Sequence, residues 1–276
     1  MESRFGWEVP LLAWIVLPTM FLRGSDFPAD SGSIVPLGSG ELMLPVNREP
    51  GQAVPVWVHL HGAHRVAQTN FFRSGEPGAF FTLSLPGLSS AYTRHFQDER
   101  VWPALLNEIQ EHLRGHFGAE TVPGTLTLSS FSAGFGGVRE ILRQTEGEGI
   151  DRLLLADSLH AGFTGDPERR EINPAHLDPF VRFARKAAAG QKLMTVTHSQ
   201  VATPTYAATG ETAAALLEAV GGAAEPDGMI HDGELRRVSR FQLGGLTILG
   251  YDGDTGEAHL AHLRHMRHFM GWRPDP

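Results

Sequence analysis

The chain contains no cysteine and only two lysines, and both scarcities narrow what the protein can be. Without cysteine there is no disulfide, no thiolate metal site and no cysteine nucleophile, although this absence says nothing about the compartment. Arginine supplies nearly all of the positive charge, because Lys186 and Lys192 are the only lysines. We interpret that imbalance as a genomic bias and not as a sign of function.

Positive charge is also scarce overall. The formal net charge is −8 and no basic run interrupts the sequence, so we expect no nucleic-acid partner. With 276 residues, of which 41% are hydrophobic and 20% charged, the chain is long enough to bury a large core. No internal repeat or long linker divides it. We therefore predict one domain over residues 1–276.

Long hydrophobic runs are nearly absent, with one exception near the start of the chain. Residues 9–22 are strongly apolar but too few to span a bilayer, so we expect no stable membrane insertion. Pro10 and Pro18 also disfavour one long helix there. We interpret residues 1–32 as an N-terminal arm packed on the sheet, with a degenerate export signal as the alternative. A cytoplasmic protein is the matching expectation, and a secreted or periplasmic one is the alternative.

One stretch, residues 124–142, organises the rest of the chain. Leu126 and Leu128 alternate with polar residues, which is typical of a strand. Small residues follow, and the stretch continues with apolar side chains at helical spacing. The pattern predicts a strand, a tight turn with Ser132 at its apex, and a helix. Such a turn strains the apex residue and exposes its hydroxyl above the sheet.

The residues around the apex carry a resemblance to a known family. Ser130 and Gly134 lie two positions before and after Ser132, where strand and helix backbones come close. The stretch resembles the nucleophile elbow of the α/β-hydrolase superfamily, usually Gly-x-Ser-x-Gly, with Ser130 replacing the first glycine. An ordinary strand-to-helix loop rich in serine and glycine is the alternative. The resemblance implies an α/β fold with a mainly parallel twisted sheet flanked by helices. It also implies a serine hydrolase without a cofactor.

The order of predicted elements agrees with that fold. Strands are predicted over residues 34–37, 41–46, 54–63, 80–85, 124–129, 150–160, 192–199 and 243–251. Helices are predicted over 101–117, 178–189 and 211–220, after the elbow, and from Asp254, where Asp254 and Glu257 resemble a capping box. Residues 88–100 and 161–176 are predicted to be loops, the second a surface loop or small lid. The polar stretch 223–240 is assigned no element.

The resemblance implies a base and an acid that follow the serine in chain order. His259 lies after the last predicted strand, which is where the family places its histidine. Asp157 lies at the carboxyl end of the predicted strand 150–160, so we assign it as the acid of a Ser132–Asp157–His259 triad. The alternative acids are Asp254, Asp252 and, more remotely, Glu211.

The resemblance also implies an oxyanion hole, made by the amides of Ala133 and of Ala63 or Gly62. The candidate pocket residues are His61, His64, Phe131, His160, His198 and Tyr206, with Phe135 and Phe163 as further apolar neighbours. His59, His61 and His64 permit a metal cluster, but no acidic residue lies nearby in sequence, so we expect no metal. We expect His262, His265 and His268 to form a solvated helix surface.

The implied substrate is a small-molecule carboxylic ester, because this fold hosts many esterases. A peptidase, lactonase or amidase with the same triad is one alternative. A non-catalytic binding protein and a metal-dependent hydrolase are two others. The acyl and alcohol specificity and the oligomeric state stay open.

Overall fold

The computed structural model describes residues 32–45 and 53–272. Within them, ten strands form one sheet: Ser33–Leu37 (β1), Gly40–Leu44 (β2), Val54–Leu60 (β3), Ala79–Leu83 (β4), Pro123–Phe131 (β5), Arg152–Ala156 (β6), Leu193–His198 (β7), Glu225–Asp232 (β8), Leu235–Leu243 (β9) and Leu246–Tyr251 (β10). The predictions for residues 1–32 and for Val46 lie outside the described residues, apart from Gly32. The single domain over 1–276 stays a prediction.

Helices connect most of the strands. They are His64–Ser74 (α1), Ser89–Phe96 (α2), Val101–Phe117 (α3), Phe135–Thr145 (α4), Pro174–Ala188 (α5), Thr209–Ala219 (α6), Gly256–Arg264 (α7) and Arg267–Met270 (α8). None of the helices in the described part of the chain has both the length and the apolar character needed to cross a bilayer.

The sheet is parallel at its centre and antiparallel at both edges. Its strand order is β1-β2-β4-β3-β5-β6-β7-β10-β9-β8. The run β4-β3-β5-β6-β7-β10 is parallel, whereas the hairpin β1–β2 and the hairpin β8–β9 add antiparallel strands at opposite edges. The carboxyl ends of the central strands therefore meet along one side of the sheet, where an open α/β sheet collects its functional side chains.

Alternation along the strands divides the core between the two faces of the sheet. In β3, Val56, Val58 and Leu60 join one buried cluster and Trp57 joins the other. Helices α2 to α6 contribute to the first cluster, and α1, α7 and α8 contribute to the second. A strand covered on both faces is apolar along its whole length, which explains the nearly continuous hydrophobic run of β3.

Three segments without a predicted helix or strand are regular. Residues 64–74, which follow the predicted strand 54–63, form α1. Residues 88–100, predicted to be a loop, contain α2, whose Tyr92 and Phe96 lie one helical turn apart and are fully buried. The helix packs against α4, where a Cβ at Gly137 would lie 2.8 Å from the Phe96 ring. The polar stretch 223–240 contains β8 and most of β9, whose buried Arg237 pairs with Asp227 and Asp232.

Several predicted boundaries were wrong, among them the ends of the strands predicted over 54–63 and 150–160, which stop at Leu60 and Ala156. Helix α5 begins at Pro174 and is capped by the Asn173 side chain, so Asp178 is not its N-cap. The last strand begins at Leu246, because the preceding residues belong to β9 and its turn. Helix α7 is capped by Thr255, whose hydroxyl accepts a hydrogen bond from the Ala258 N–H, so the predicted cap at residue 254 is displaced by one residue.

Candidate active site

The turn after β5 holds Ser132 in a strained conformation. Its φ is +47°, in the left-handed region that residues other than glycine rarely adopt, and a 3₁₀ turn over Ser132–Gly134 leads directly into α4. A Cβ at Gly134 would lie 2.2 Å from the Leu60 carbonyl oxygen and 2.9 Å from the Ser130 Cβ. With serine at position 130, only glycine therefore fits at position 134 without a shift of the backbone.

The unusual Ser130 is held by a hydrogen-bonded partner. Its side chain is fully buried, and its hydroxyl lies 2.7 Å from the Ser158 hydroxyl. Ser158 donates to the Ser132 carbonyl oxygen at 2.8 Å, so Ser130 is the donor in the contact between the two hydroxyls. These two hydrogen bonds, from Ser130 to Ser158 and from Ser158 to Ser132, hold the backbone of the strained Ser132 in place.

Three distant side chains meet above this turn. The His259 Nε2 lies 2.8 Å from the Ser132 Oγ, and the His259 Nδ1 lies 2.7 Å from the Asp157 Oδ2. A carboxylate only accepts hydrogen bonds, so the proton of neutral His259 sits on Nδ1. Nε2 is then free to accept the hydrogen bond from the serine hydroxyl. The geometry thus allows the imidazole to take the serine proton.

Asp157 lies almost entirely inside the protein, at the carboxyl end of β6. Besides His259, the Ser199 N–H donates to its carboxylate at 2.9 Å, and the Thr209 hydroxyl donates to the same oxygen. Burial alone would raise the pKa of Asp157, but the neighbouring His262 and His259 and the bond from Thr209 outweigh it and lower the pKa. The group is therefore a carboxylate at neutral pH.

A second buried layer supports Asp157 from behind. The Thr197 hydroxyl accepts a hydrogen bond from the Asp157 N–H at 3.1 Å and lies 2.7 Å from the His262 Nδ1. His262 is fully buried, which corrects the expectation that it belongs to a solvated surface. Burial lowers its pKa to about 4, so it is neutral near pH 7. A residue on the inner side of α7 thus becomes part of the core beneath the site.

The loop after β3 lies beside this group. His61 has a φ of +75°, its Nδ1 lies 2.9 Å from the Tyr92 hydroxyl, and its ring stacks on Phe131. Phe131 in turn stacks on His259, with ring centroids 4.6 Å apart. Burial lowers the pKa of His61 to about 4, and the nearby His259 adds to this shift. His61 is therefore a half-buried side chain that is neutral near pH 7 and holds the loop.

A cavity of about 380 Å³ opens beside Ser132. The predicted residues Ala133, Phe135, His160 and Tyr206 line it, and the remaining lining residues are Leu88, Ser89, Ser90, Thr93, Arg139, Ala161, Gly162 and His176. Five residues predicted near the pocket are not in its wall: His61, His64, Phe131, Phe163 and His198. His64 instead lies 2.7 Å from the Thr82 hydroxyl, and the Phe163 ring lies under Arg170.

The alternative acids lie elsewhere. Asp252 forms an ion pair with Arg236, and Asp254 is exposed. Glu211 pairs with Arg170 at the start of α6 and also accepts a hydrogen bond from the Ala208 N–H. The described contacts thus bring Asp157, and none of these three, to the His259 imidazole.

Several cavity residues escaped the sequence analysis. Leu88, Ser89 and Ser90 enter the site because α2 was mistaken for a loop, although the i, i+4 spacing of two aromatic residues in this segment was a signal for a helix. Arg139 lies on the elbow helix, and His176 lies before the predicted start of α5. Neither of these last two carried a motif.

The predicted oxyanion-hole residues lie at the starts of two helices, α4 and α1. Ala133 lies in the 3₁₀ turn that leads into α4, where early backbone N–H groups have no partner within the helix. Ala63 is the N-cap of α1, and Gly62 before it has a φ of +108°. In residues 32–45 and 53–272, no group of three His, Asp or Glu side chains comes together as a metal site would require.

No protein-family model and no curated protein sequence matches this chain. Among solved structures, it is similar to a poly(3-hydroxybutyrate) depolymerase from Bordetella parapertussis, with a TM-score of 0.50 and 13% identity over 86% of this chain and 85% of that one. A feruloyl esterase module from Clostridium thermocellum has a TM-score of 0.49 and 11% identity, with 90% and 92% covered.

A third similar structure, an uncharacterised protein from Capnocytophaga ochracea DSM 7271, has a TM-score of 0.49 and 10% identity, with 86% of this chain and 62% of that one covered. The chain thus spans less than two thirds of that protein's length. At such identities the similarity concerns the fold alone. Of these three structures, the depolymerase is the one whose TM-score reaches 0.50. Its similarity and the sheet topology together confirm the predicted α/β-hydrolase fold.

Proposed function

We propose that this α/β-hydrolase-fold protein is a serine hydrolase that cleaves a carboxylic ester through an acyl-enzyme intermediate. The observation that carries the proposal is the continuous contact from the Ser132 Oγ through both ring nitrogens of His259 to the Asp157 carboxylate. A serine hydroxyl is a weak nucleophile near neutral pH, and a base within hydrogen-bonding distance removes that limit.

In the first half of the reaction, the Ser132 Oγ attacks the ester carbonyl carbon while its proton moves to the His259 Nε2. The imidazolium then carries a positive charge, which the adjacent Asp157 carboxylate stabilises. The tetrahedral oxyanion lies near the start of α4, where we assign the Ala133 amide as one donor and the Ala63 or Gly62 amide as the other. When the bond to the alcohol oxygen breaks, Nε2 returns the proton to the leaving alcohol.

In the second half, water attacks the acyl-enzyme and gives its proton to the same nitrogen. Collapse of the second tetrahedral intermediate breaks the bond between the Ser132 Oγ and the acyl carbon. The acid product leaves, and the proton returns to the serine. This scheme requires no cofactor, because the residues themselves supply nucleophile, base and oxyanion donors.

Two features support an ester as the substrate class. The cavity beside Ser132 combines aromatic walls from Phe135 and Tyr206 with polar side chains that can orient a ligand, which suits a small organic molecule. The similar structure from Bordetella parapertussis is named as a poly(3-hydroxybutyrate) depolymerase, and the polymer in that name is a polyester. At 13% identity, that name offers an analogy for the substrate class and nothing narrower.

Labelling with a fluorophosphonate, followed by peptide mass spectrometry, tests the proposal. The reagent bonds only to an activated serine, because it mimics the tetrahedral intermediate. We expect an adduct on Ser132 in the wild type, and its loss in Ser132→Ala and His259→Ala. His198→Gln is the matched control, since His198 lies at a neighbouring strand end but outside the cavity wall. It should keep the adduct.

An adduct on a different serine would place the nucleophile elsewhere and overturn the assignment. A folded wild-type protein that forms no adduct would refute the serine mechanism. Turnover of a p-nitrophenyl ester panel, compared with the corresponding anilides, then separates an esterase from an amidase or peptidase.

A further inference from the structure

The cavity beside Ser132 contains a cation that the proposed hydrolysis does not use. Arg139 lines this cavity, and its side chain is only 16% exposed. It lies on α4, four residues after Phe135, and its guanidinium sits 5.9 Å from the Phe135 ring centroid. Side chains of a helix lean towards its N-terminus, so Arg139 leans back towards the elbow and the serine.

The charge of Arg139 is only partly compensated within the protein. Its described polar contacts are the Thr93 hydroxyl at 3.3 Å and the Glu140 carboxylate at 3.7 Å. Adjacent residues on a helix do not face each other, and Glu140 makes its closer contact, at 2.9 Å, with Arg143 on the next turn. Burial lowers the pKa of Arg139 although the Glu140 carboxylate opposes the shift, so part of the cost of withdrawing this cation from water is left. An incoming anion would offset that cost.

The rest of the cavity wall also favours an anion. None of the described residues that line it is acidic. The N-terminus of α2 faces it through Ser89 and Ser90, and the first N–H groups of a helix attract negative charge.

His176 adds a further donor to the same wall. The Gly162 N–H donates to its Nδ1 at 3.0 Å, so the proton of the neutral ring sits on Nε2. Burial, followed by the charge of Arg139, lowers the pKa of His176, which keeps the ring neutral near pH 7.

We infer that Arg139 forms, with the start of α2 and His176, a subsite for a carboxylate carried by the substrate. The inference rests on the proposed ester hydrolysis at Ser132 and narrows its substrate class to monoesters of dicarboxylic acids. Seven positions separate Ser132 from Arg139, or roughly 10 Å along a helix axis, and the arginine side chain leans back towards the serine, so a spacer of a few carbon atoms joins the ester carbonyl and the carboxylate.

A pair of esters of equal length tests the subsite. Mono-p-nitrophenyl glutarate and p-nitrophenyl valerate differ by a terminal carboxylate in place of a methyl group. We expect the wild type to prefer the glutarate ester in kcat/KM. In Arg139→Gln, the ratio of the two kcat/KM values should fall roughly 10- to 100-fold, as expected for the loss of charge-assisted hydrogen bonds. Arg139→Lys keeps the positive charge but loses the paired N–H donors with which a guanidinium binds a carboxylate. Its ratio of the two kcat/KM values should therefore lie between those of the wild type and Arg139→Gln.

Arg143→Gln is the matched control, because Arg143 lies one turn further along α4, pairs with the same Glu140, and is not in the cavity wall. Its ratio should equal that of the wild type. An equal fall in Arg143→Gln would mean that the net charge of this surface, and not a subsite, sets the preference. An unchanged ratio in Arg139→Gln would overturn the inference.

The failure of the subsite and the failure of the hydrolase proposal give different results. If the fluorophosphonate labels Ser132 but the ester ratio does not depend on Arg139, the subsite alone is wrong. If no adduct and no turnover are found, calorimetric titration with glutarate still tests the subsite. In that case binding by the wild type and its loss in Arg139→Gln would support an anion site, and equal or no binding in both would reject it.

Discussion

Replacing Asp157 with asparagine changes charge at the centre of the proposed site while it hardly changes volume. The amide oxygen can still accept hydrogen bonds from the Ser199 N–H and the Thr209 hydroxyl. The amide nitrogen then faces the His259 Nδ1 as a donor, which forces the imidazole proton onto Nε2. In that tautomer Nε2 cannot accept the proton of Ser132. We therefore expect Asp157→Asn to fold and to lose most of its activity.

The size of this loss follows from the tautomer. In serine hydrolases with this arrangement, the same replacement lowers kcat by about 10,000-fold, or about 5 kcal/mol in activation free energy. Because Asp157 is 1% exposed and its other partners stay in place, the loss should appear in kcat and much less in KM. Steady-state hydrolysis of a p-nitrophenyl ester measures both constants, and urea unfolding checks that the variant is folded.

The matched control is Asp254→Asn, which removes an exposed carboxylate close to His259 in sequence. It should keep kcat within about twofold of the wild type, in line with the small effects of surface substitutions. A folded Asp157→Asn variant that loses less than tenfold would refute the assignment of Asp157 as the acid. A large loss in Asp254→Asn instead would transfer the role to that residue.

Three further predictions concern the scaffold. Burial lowers the pKa of His59 to about 3 and the pKa values of His61 and His262 to about 4, below about 6.5 in the unfolded chain, so the unfolded state binds protons first as the pH falls. The free energy of unfolding should therefore drop by about 4 kcal/mol per pH unit between roughly pH 6 and 4.5, and His59→Gln should lower that slope by about 1.4 kcal/mol per pH unit in urea unfolding. Thr197→Val removes a hydroxyl with two buried partners and should cost about 2 kcal/mol in the same assay, whereas an unchanged midpoint would contradict this network. Gly134→Ala places a Cβ 2.2 Å from a backbone oxygen and should abolish fluorophosphonate labelling, while Gly115→Ala in α3, with open space around it, should be neutral or slightly stabilising in thermal melts.

The central elements of the fold could be predicted because their signals are local. The apolar run of β3 and the strand–turn–helix around Ser132 follow from neighbours two to four residues apart. The start of α5 was placed four residues late, because Asp178-Pro179 resembles a helix start as closely as Asn173-Pro174 does.

The weaker elements were missed because their stability comes from elsewhere. Helix α2 has only eight residues, too few for a clear periodic pattern, and it forms where Tyr92 and Phe96 are buried against other elements. Strand β9 carries half-buried polar side chains along most of its length, and its position at the sheet is supported by the buried Arg237 and its two carboxylate partners. His262 was expected on a surface because histidine is seldom fully buried, whereas α7 buries it together with Ala261 and Leu263.

The sequence by itself determined that cysteine chemistry is absent, that a serine occupies a tight turn between a strand and a helix, and that an aspartate and a histidine follow it at the ends of later elements. Only the tertiary structure decided which of the candidate acids reaches His259, and that Arg139 and His176 share a cavity with Ser132. The reason is the range of the interactions. Turns and periodicity depend on nearby residues, whereas Asp157 and His259 are 102 positions apart and meet through the order and register of the strands between them.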